Sequence, residues 1–159
     1  MKIMQLPLER FDEMDSLYDM TSVEGFREKR LENLKNCREI CLVAEEKGEI
    51  IGEISIMTEN INIPAAVIPN KRVYLFGLRV KEQFRRNGVG RQLLVNAISL
   101  CMKRGVFQFT IGVEKENSIA RRFYESCGFY PLLENCVEMQ QGRRCVYDLL
   151  YLDTREKTV

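Results

Sequence analysis

The sequence predicts a single domain of the mixed α/β (α+β) class, and three observations support this prediction. Two β-branched runs flank a short turn over residues 40–58, which is a hairpin pattern. A strand, a helical stripe and another strand follow one another over residues 72–113. The 159 residues, 45% of them hydrophobic, suit one core. Because no linker or repeat divides the chain, the predicted domain is 1–159.

The N-terminal part alternates strands with acidic segments. Lys2–Leu6 has the pattern of a short strand. Leu8–Met20 is amphipathic and acidic, and this favours a helix. The hairpin strands are Ile40–Glu45 and Glu49–Thr58, joined by Glu46-Lys47-Gly48.

A second helix is predicted between the acidic segment and the hairpin. Thr21-Ser22-Val23-Glu24 has the form of a capping box, with the acid three residues after the threonine. We therefore expect the helix to continue to about Asn36. Its inner positions would be Phe26, Leu31 and Leu34.

The central segment reads as a strand–helix–strand unit. An apolar loop with two prolines, Asn60–Asn70, precedes a buried strand at Arg72–Val80. Val89–Arg104 has the apolar stripe of a helix, which Gly105 ends. The second strand is Phe107–Val113, where apolar residues alternate. The connection is long enough for a parallel, right-handed crossover.

A third helix follows this unit. Asn117 or Ser118 can cap its start and Gly128 can end it. Its apolar stripe consists of Ala120, Phe123, Tyr124 and Cys127.

Two closing strands complete the prediction. They are Phe129–Leu133 and Arg144–Leu152, and the polar stretch between them, Glu134–Arg143, is typical of a turn. The last strand and the apolar loop Ile61–Pro69 could each form the contact of a homodimer or simply cover the core.

Composition excludes several classes of protein. The net charge is +1 overall, but residues 1–59 carry −6 and residues 60–159 carry +7. The asymmetry is either random surface scatter or an indication of a polyanion on the second half and a cationic partner near the first. The near-neutral total shows no bias of the kind typical of nucleic-acid binding. No run of 18 apolar residues predicts a membrane span, and the N-terminus lacks a signal-peptide pattern. We expect a cytoplasmic protein that binds neither membrane nor nucleic acid.

The absence of histidine limits the chemistry. With no histidine in the sequence, Ser-His-Asp triads, Cys-His dyads and an imidazole base are excluded. No CxxC pair occurs, Cys37 and Cys41 being the closest cysteines, so no metal site is expected. We expect the cysteines to be reduced and mostly packed in the core. They are Cys37, Cys41, Cys101, Cys127, Cys136 and Cys145.

The stretch FRRNGVGRQLL forms the turn between the first strand and the helix of the central unit. A helix start leaves about four backbone N–H groups unpaired, and the helix dipole adds positive charge there. Gly88 and Gly90 remove side chains that would obstruct a ligand. Arg85, Arg86 and Arg91 add formal charge. This arrangement indicates binding of a phosphate or pyrophosphate rather than a plain solvated turn.

Two common phosphate motifs do not fit this turn. The Walker A pattern G-x-x-x-x-G-K-[ST] is absent. The dinucleotide pattern G-x-G-x-x-G fails because position 93 is leucine, and too little chain follows for a full dinucleotide fold.

The chain resembles the GNAT superfamily of acyl-CoA-dependent N-acetyltransferases. The turn matches the family pattern [QR]-x-x-G-x-[GA], and NSIARRFYESCGF matches its N-x-x-A-x-x-x-Y-x-x-x-G-F helix. The match is specific from about residue 72 to residue 131. It implies a mixed, mostly antiparallel sheet with a central parallel strand pair flanked by helices.

The resemblance implies acetyl-CoA as the co-substrate and assigns roles to individual residues. Tyr124 would protonate the departing CoA thiolate, and Asn117 would contact the cofactor arm. The arm would run beside the backbone of Leu78, Arg79 and Val80, whose amides could stabilise the oxyanion. The remaining residues that would hold the cofactor are those of the turn: Arg85, Arg86, Asn87, Gly88, Val89, Gly90 and Arg91.

The general base is not identified by the resemblance. Several family members place a carboxylate on the strand before the turn, but Arg72–Val80 has none, with Tyr74 and Gly77 in that region. The carboxylates that could replace it are Glu53, Glu59, Glu82 and Glu114. A water chain or an amine that arrives neutral would serve equally well.

The predicted function is acetyl transfer from acetyl-CoA to a primary amine by direct attack in a ternary complex. By family analogy, acidic residues of the first helices border the acceptor groove and favour a cationic small molecule or protein amine. They are Glu9, Asp12, Glu13, Asp15, Asp19 and Glu24. A non-catalytic acyl-CoA sensor and a nucleic-acid binder are the alternatives; the former needs no proton relay and the latter would bind with steep salt dependence.

Overall fold

The computed structural model describes residues 1–59, 61–140 and 142–156, in which seven strands form one sheet in the order β1-β2-β3-β4-β5-β7-β6. All neighbouring strands are antiparallel except β4 and β5, which are parallel. This confirms the predicted fold class. The strands are β1 Lys2–Gln5, β2 Glu39–Glu46, β3 Glu49–Met57, β4 Arg72–Val80, β5 Gln108–Glu114, β6 Tyr130–Gln140 and β7 Arg143–Asp153. The helices are α1 Phe26–Lys35, α2 Val89–Lys103 and α3 Ser118–Ser126, with 3₁₀ helices at Leu8–Ser16 and Glu82–Phe84.

The helices cover the sheet on both faces. On the α2 face, the apolar stripes of α2 and α3 bury Leu93, Leu94 and Tyr124 against Leu75 and Ile111 of the central strands. On the α1 face, a smaller cluster joins the Leu8–Ser16 helix and α1 to the first strands. It contains Leu6, Phe11, Met14, Met20, Cys41, Val43 and Ile50. Among the described residues, the α1-face cluster involves only the first three strands, whereas the central strands β4 and β5 are covered on the α2 face.

The strand–helix–strand unit has the predicted arrangement. β4 has the predicted bounds, and α2 begins at Val89 directly after Gly88. Gly105, with φ of +82°, follows the end of α2, as expected for a glycine that ends a helix. In the preceding loop, Ala66 is fully buried and its carbonyl accepts a hydrogen bond of 2.7 Å from Thr110 Oγ1, so this loop covers the core. Asn60, the first residue of that predicted loop, lies outside the described residues.

The first predicted helix is wrong in type. Residues Leu8–Ser16 form a 3₁₀ helix, not an α-helix that reaches Met20. Its buried residues, Phe11 and Met14, are three positions apart, which is the repeat of a 3₁₀ helix. Pro7 precedes the helix and no side chain caps it, so little favours the wider α turn.

The predicted capping box does not form. The Thr21 amide and hydroxyl both donate to Asp19 Oδ1, at 2.9 and 2.6 Å, and α1 begins only at Phe26 after Gly25. Asp19 and Thr21 therefore form a local turn, and turns of this kind compete with helix capping for the same side chains. Of the predicted inner positions of α1, Leu31 and Leu34 pack against the α1-face cluster, whereas Phe26 is 36% exposed and Arg30 is the buried residue.

The polar stretch between the closing strands is largely strand. β6 continues through it to Gln140, with shifts in its pairing to β7 near Leu133 and Cys136. The Asn135 amide donates to Asp148 Oδ1 at 2.9 Å, and Asn135 has φ of +56°. These bulges let the strand absorb polar residues without ending. Gln141, within the predicted turn, and residues 157–159 of the predicted domain lie outside the described residues.

In the part of the chain that the structure describes, no helix is both long enough and apolar enough to cross a membrane.

Candidate active site

Strands β4 and β5 begin as a parallel pair and then separate. The last parallel pair is Leu75 with Ile111. β4 nevertheless continues to Val80 beside β3, and β5 continues to Glu114 beside β7. Their facing edges thus diverge, and the freed edge of β4 can accept an extended ligand as an added strand.

A β-bulge shapes the freed part of β4. Ser55 of β3 pairs with Phe76, but Glu53 pairs with Arg79, so β4 contains one extra residue here. Gly77 lies in this bulge with φ of +64°, which glycine adopts without steric cost. The bulge redirects the backbone at the point where β4 leaves β5.

The turn before α2 forms a concave set of unpaired amides. Arg86 and Gly88 have left-handed φ angles of 64° and 78°. Among the described residues, no amide from Arg86 to Arg91 donates to another backbone group, and no side chain caps α2. Alternating conformations of this kind form anion-binding nests, and the helix dipole adds to the positive potential.

The three arginines of the turn have different surroundings. Arg85 Nε donates to the Val80 carbonyl at 2.8 Å, which ties the turn to β4. Arg91 donates to Ser126 Oγ at 3.0 Å and lies over the Phe123 ring, so it ties α2 to α3. Arg86 is exposed and has no such partner among the described residues. Arg86 is thus the arginine whose charge is available to a ligand.

The diverging strands, the turn and α3 enclose a cleft of about 990 Å³. It brings together Tyr124 and the predicted cofactor residues, with the exception of Asn87, whose Nδ2 donates to the carbonyl of Arg85 at 3.2 Å. The remaining lining residues were not predicted to bind the cofactor, although Glu82 was a candidate base and Ala120 and Phe123 lie within the α3 motif. They are Ser16, Leu17, Lys81, Glu82, Gln83, Phe84, Ile119, Ala120 and Phe123.

Asn117 lines the cleft and also caps α3. Its Oδ1 accepts a hydrogen bond of 3.1 Å from the Ala120 amide. No described residue accepts from its Nδ2, so this group can donate to a ligand in the cleft. Of the two caps that the sequence allowed, the structure uses Asn117 rather than Ser118.

Replacing Asn117 by alanine is expected to lower the free energy of unfolding by about 1 kcal/mol, because a helix loses its N-cap. Urea unfolding followed by circular dichroism measures this loss. Asn96→Ala is the control, since Asn96 is an exposed interior residue of α2. Equal stability of the two variants would contradict a capping role for Asn117.

Tyr124 projects from α3 into the core beside the cleft. It is 8% exposed, and its ring contacts those of Phe123 and Phe129 at 5.4 and 6.1 Å between centroids. Burial raises the pKa of Tyr124 to about 12, with a smaller contribution from Cys127. No described residue forms a hydrogen bond with its hydroxyl group. Because the pKa is about 12, the hydroxyl is neutral near pH 7 and can donate a proton to a bound group.

The four carboxylates considered as bases have unequal access to the cleft. Glu53 is fully buried and bound to Arg30 and Arg79, at 2.5 and 3.0 Å, so its oxygens are already occupied. Glu59 is exposed and pairs with Arg38. Glu82 is exposed on the cleft rim and Glu114 is exposed at the end of β5. Across the described residues, no group of His, Cys, Asp and Glu side chains could hold a metal ion.

Several acidic residues of the first segment are engaged in ion pairs. Arg27 pairs with both Asp12 and Asp15, and Arg10 pairs with Glu13 and Glu45. Ser16 and Leu17 reach the cleft. The predicted acidic border is therefore partly neutralised, and none of its six acidic residues is among the described residues that line the cleft.

Comparisons with known proteins agree with this geometry. The family model described as acetyltransferase (GNAT) family matches residues 2–129. The uncharacterized N-acetyltransferase YhfO of Bacillus subtilis (strain 168) is 31% identical over 112 residues, covering 70% of each chain.

Solved structures share the whole architecture at low sequence identity. The ribosomal-protein-S18-alanine N-acetyltransferase of Escherichia coli superposes with a TM-score of 0.75, at 19% identity over 99% of this chain and 96% of that one. An aminoglycoside 6'-N-acetyltransferase complexed with coenzyme A has a TM-score of 0.74, at 16% identity over 100% of both chains. These two structures establish the likeness of the fold.

Proposed function

Because the chain belongs to the GNAT family of N-acetyltransferases, we propose that it transfers an acetyl group from acetyl-CoA directly to a primary amine, with both substrates bound together. The observation that carries this proposal is the single cleft that joins the unpaired amides, the freed edge of β4 and the Tyr124 hydroxyl. These are an anion site, a strand-like docking edge and a proton donor.

The pyrophosphate of CoA would bind the amides from Arg86 to Arg91 and the Arg86 side chain. The pantetheine arm would then lie along Leu78–Val80, which places the thioester where β4 and β5 separate. The site residues predicted from the sequence keep these roles here as proposals, except that Asn87 acts through its backbone.

The proposed reaction forms a carbon–nitrogen bond and breaks a carbon–sulfur bond, with two proton transfers. The amine nitrogen bonds to the thioester carbon, and the carbonyl oxygen becomes an oxyanion that backbone N–H groups of the cleft stabilise. The carbon–sulfur bond then breaks and Tyr124 gives its proton to the sulfur, while the new ammonium loses a proton to water. No residue of the cleft serves as a covalent carrier in this scheme.

We propose that the acceptor is a primary amine carried by a cationic small molecule or protein. The names of the two structural neighbours specify an alanine of a ribosomal protein and an aminoglycoside, which are both amine acceptors. The excess of acidic residues in residues 1–59 supports a cationic acceptor.

The function is tested by calorimetric titration with acetyl-CoA and by CoA release with a panel of amines. The panel contains a polyamine, an aminoglycoside and a peptide with N-terminal alanine. We expect binding of acetyl-CoA and thiol release with at least one amine. Binding of acetyl-CoA without thiol release for any amine of the panel would support the sensor alternative. The lack of a carboxylate on β4 also favours that alternative.

Replacing Arg86 by alanine is expected to weaken CoA binding about tenfold, because a hydrogen bond to a charged group is worth roughly 1.5–3 kcal/mol before solvent screening. Titration of CoA at low and moderate salt measures the change. The control is Arg104→Ala, an exposed arginine at the opposite end of α2. Equal losses in both variants would show that only overall charge matters.

A further inference from the structure

Tyr74 lies on the α1 face of the sheet, at the point where the central strands separate. Val73 and Leu75 belong to the core on the α2 face, so Tyr74 and Phe76 point to the opposite face. Their rings stack with centroids 5.8 Å apart and an angle of 9°. This stacking holds the Tyr74 ring parallel to its neighbour and directs it along the sheet.

The Tyr74 hydroxyl crosses over Gly112 of β5. A Cβ atom at Gly112 would be 2.9 Å from this oxygen and 3.5 Å from Cδ2 of Tyr147. Gly112 directly follows Ile111, the last residue of β5 that pairs with β4. The hydroxyl therefore lies at the vertex of the opening, and the absence of a side chain on Gly112 leaves room for it.

The hydroxyl at this vertex is neutral and retains its hydrogen-bonding capacity. Burial raises the pKa of Tyr74 above its ordinary value, and Glu138 and Tyr147 raise it further. The Gly112 amide faces the oxygen. No acceptor for the hydroxyl proton is found among the described residues. A neutral phenol of this kind can orient a ligand, but it cannot take a proton as a phenolate would.

Tyr124 approaches the same opening from the other face. It is close enough to influence the pKa of Tyr74, and it packs in the core with α2. The opening between β4 and β5 thus has one tyrosine on each face of the sheet. A thioester in the opening would have Tyr124 on its leaving-group side and Tyr74 on the side from which a nucleophile is free to approach.

We propose that Tyr74 binds the acceptor: its hydroxyl oxygen accepts a hydrogen bond from one N–H of the attacking primary amine and directs the nitrogen lone pair at the thioester carbon. This inference rests on the proposed function and names a residue that contacts the acceptor. It also explains how β4 can serve the reaction without a carboxylate, since orienting a neutral amine requires no base at that step.

The test uses the full chain and whichever amine of the panel has the highest kcat/KM. Tyr74→Phe keeps the ring stacked on Phe76 and removes only the hydroxyl. We expect kcat/KM for the amine to fall about tenfold, as for the loss of one hydrogen bond, with the KM for acetyl-CoA unchanged. Tyr130→Phe, which removes an exposed hydroxyl bound to Glu156, should leave both constants unchanged.

A double-mutant cycle separates this role from a structural one. Gly112→Ala places a methyl group against the Tyr74 hydroxyl and should lower kcat/KM for the amine about tenfold by displacing it. In the Tyr74→Phe background the hydroxyl is gone, so the same change should have less than about a twofold effect. Additive effects would overturn the inference.

The two proposals fail in different ways. If the unchanged chain acetylates an amine and Tyr74→Phe does so equally well, the role of Tyr74 is overturned alone. If the unchanged chain binds acetyl-CoA but acetylates no amine of the panel, the proposed function is overturned and this inference with it.

Discussion

Replacing Tyr124 with phenylalanine is expected to lower kcat by about 100-fold or more, because a positioned general acid contributes roughly 10²–10⁴ to the rate. The affinity for acetyl-CoA should stay within about twofold, since the change removes one hydroxyl and leaves the packed ring in place. Single-turnover CoA release measures the first quantity, and calorimetric titration measures the second.

The pH dependence follows from the raised pKa of Tyr124. The general acid must be protonated to donate, and the folded protein holds this pKa at about 12. Titration of Tyr124 therefore does not reduce kcat between pH 7 and 10. Any fall in kcat on the alkaline side within that range would have to come from another group.

Tyr151→Phe is the matched control for this prediction. Tyr151 is 8% exposed, as Tyr124 is, and its hydroxyl donates to Asp153 at 3.4 Å outside the cleft. It controls for the loss of a buried phenol hydroxyl. If Tyr124→Phe resembles Tyr151→Phe in kcat, Tyr124 is a packing residue. If the unchanged chain and Tyr124→Phe both bind acetyl-CoA and neither acetylates an amine, the result supports the sensor alternative.

Replacing Glu53 with glutamine is expected to lower the free energy of unfolding by about 3 kcal/mol, because the buried Arg30 loses one of its two carboxylate partners. Arg30 is 6% exposed and donates to Glu53, Glu39 and Ser55. Burial opposes the charge on Arg30, but the Glu53 and Glu39 carboxylates outweigh it and raise the Arg30 pKa. Glu53 also holds Arg79, which lies 4.0 Å over the Tyr18 ring.

Glu49→Gln provides a control on the same strand. Its carboxylate is 53% exposed and pairs with Lys81 at 2.7 Å, a surface ion pair worth about 0–1 kcal/mol. Thermal and urea unfolding of both variants measure the difference. If Glu53→Gln keeps the stability of the unchanged chain but loses kcat, Glu53 acts as the general base and its ion pairs are secondary.

Local sequence patterns were sufficient to predict the secondary-structure elements that local interactions determine. Gly88 starts α2 and Gly105 follows its end because the left-handed backbone favours glycine. The apolar stripe of α2 reflects burial on one face, and α2 and β5 both formed as predicted, although Gln108 and Thr110 of β5 are buried as well as its apolar residues. The motif residues of the turn and of α3 likewise converge on one cleft.

Competing contacts, one local and one distant in sequence, account for two of the wrong predictions. Thr21 could cap a helix or bind Asp19, and the two choices have similar free energies in a short polar segment. The β6 strand continues through a polar stretch because Asp148, thirteen residues beyond Asn135, accepts its amide. Such a partner is distant in sequence, so no window around Asn135 contains it.

The sequence by itself determined the mixed fold class, the parallel unit and the positively charged turn, because residue type and spacing control backbone conformation and periodic burial. Only the tertiary structure decided which groups are free to act. Glu53 is occupied by two arginines, Arg85 and Arg91 by neighbouring elements, and Tyr74 reaches the vertex because Gly112, thirty-eight residues later, has no side chain. The physical reason is that hydrogen bonding, charge pairing and steric access depend on distances in space, which residue order does not specify.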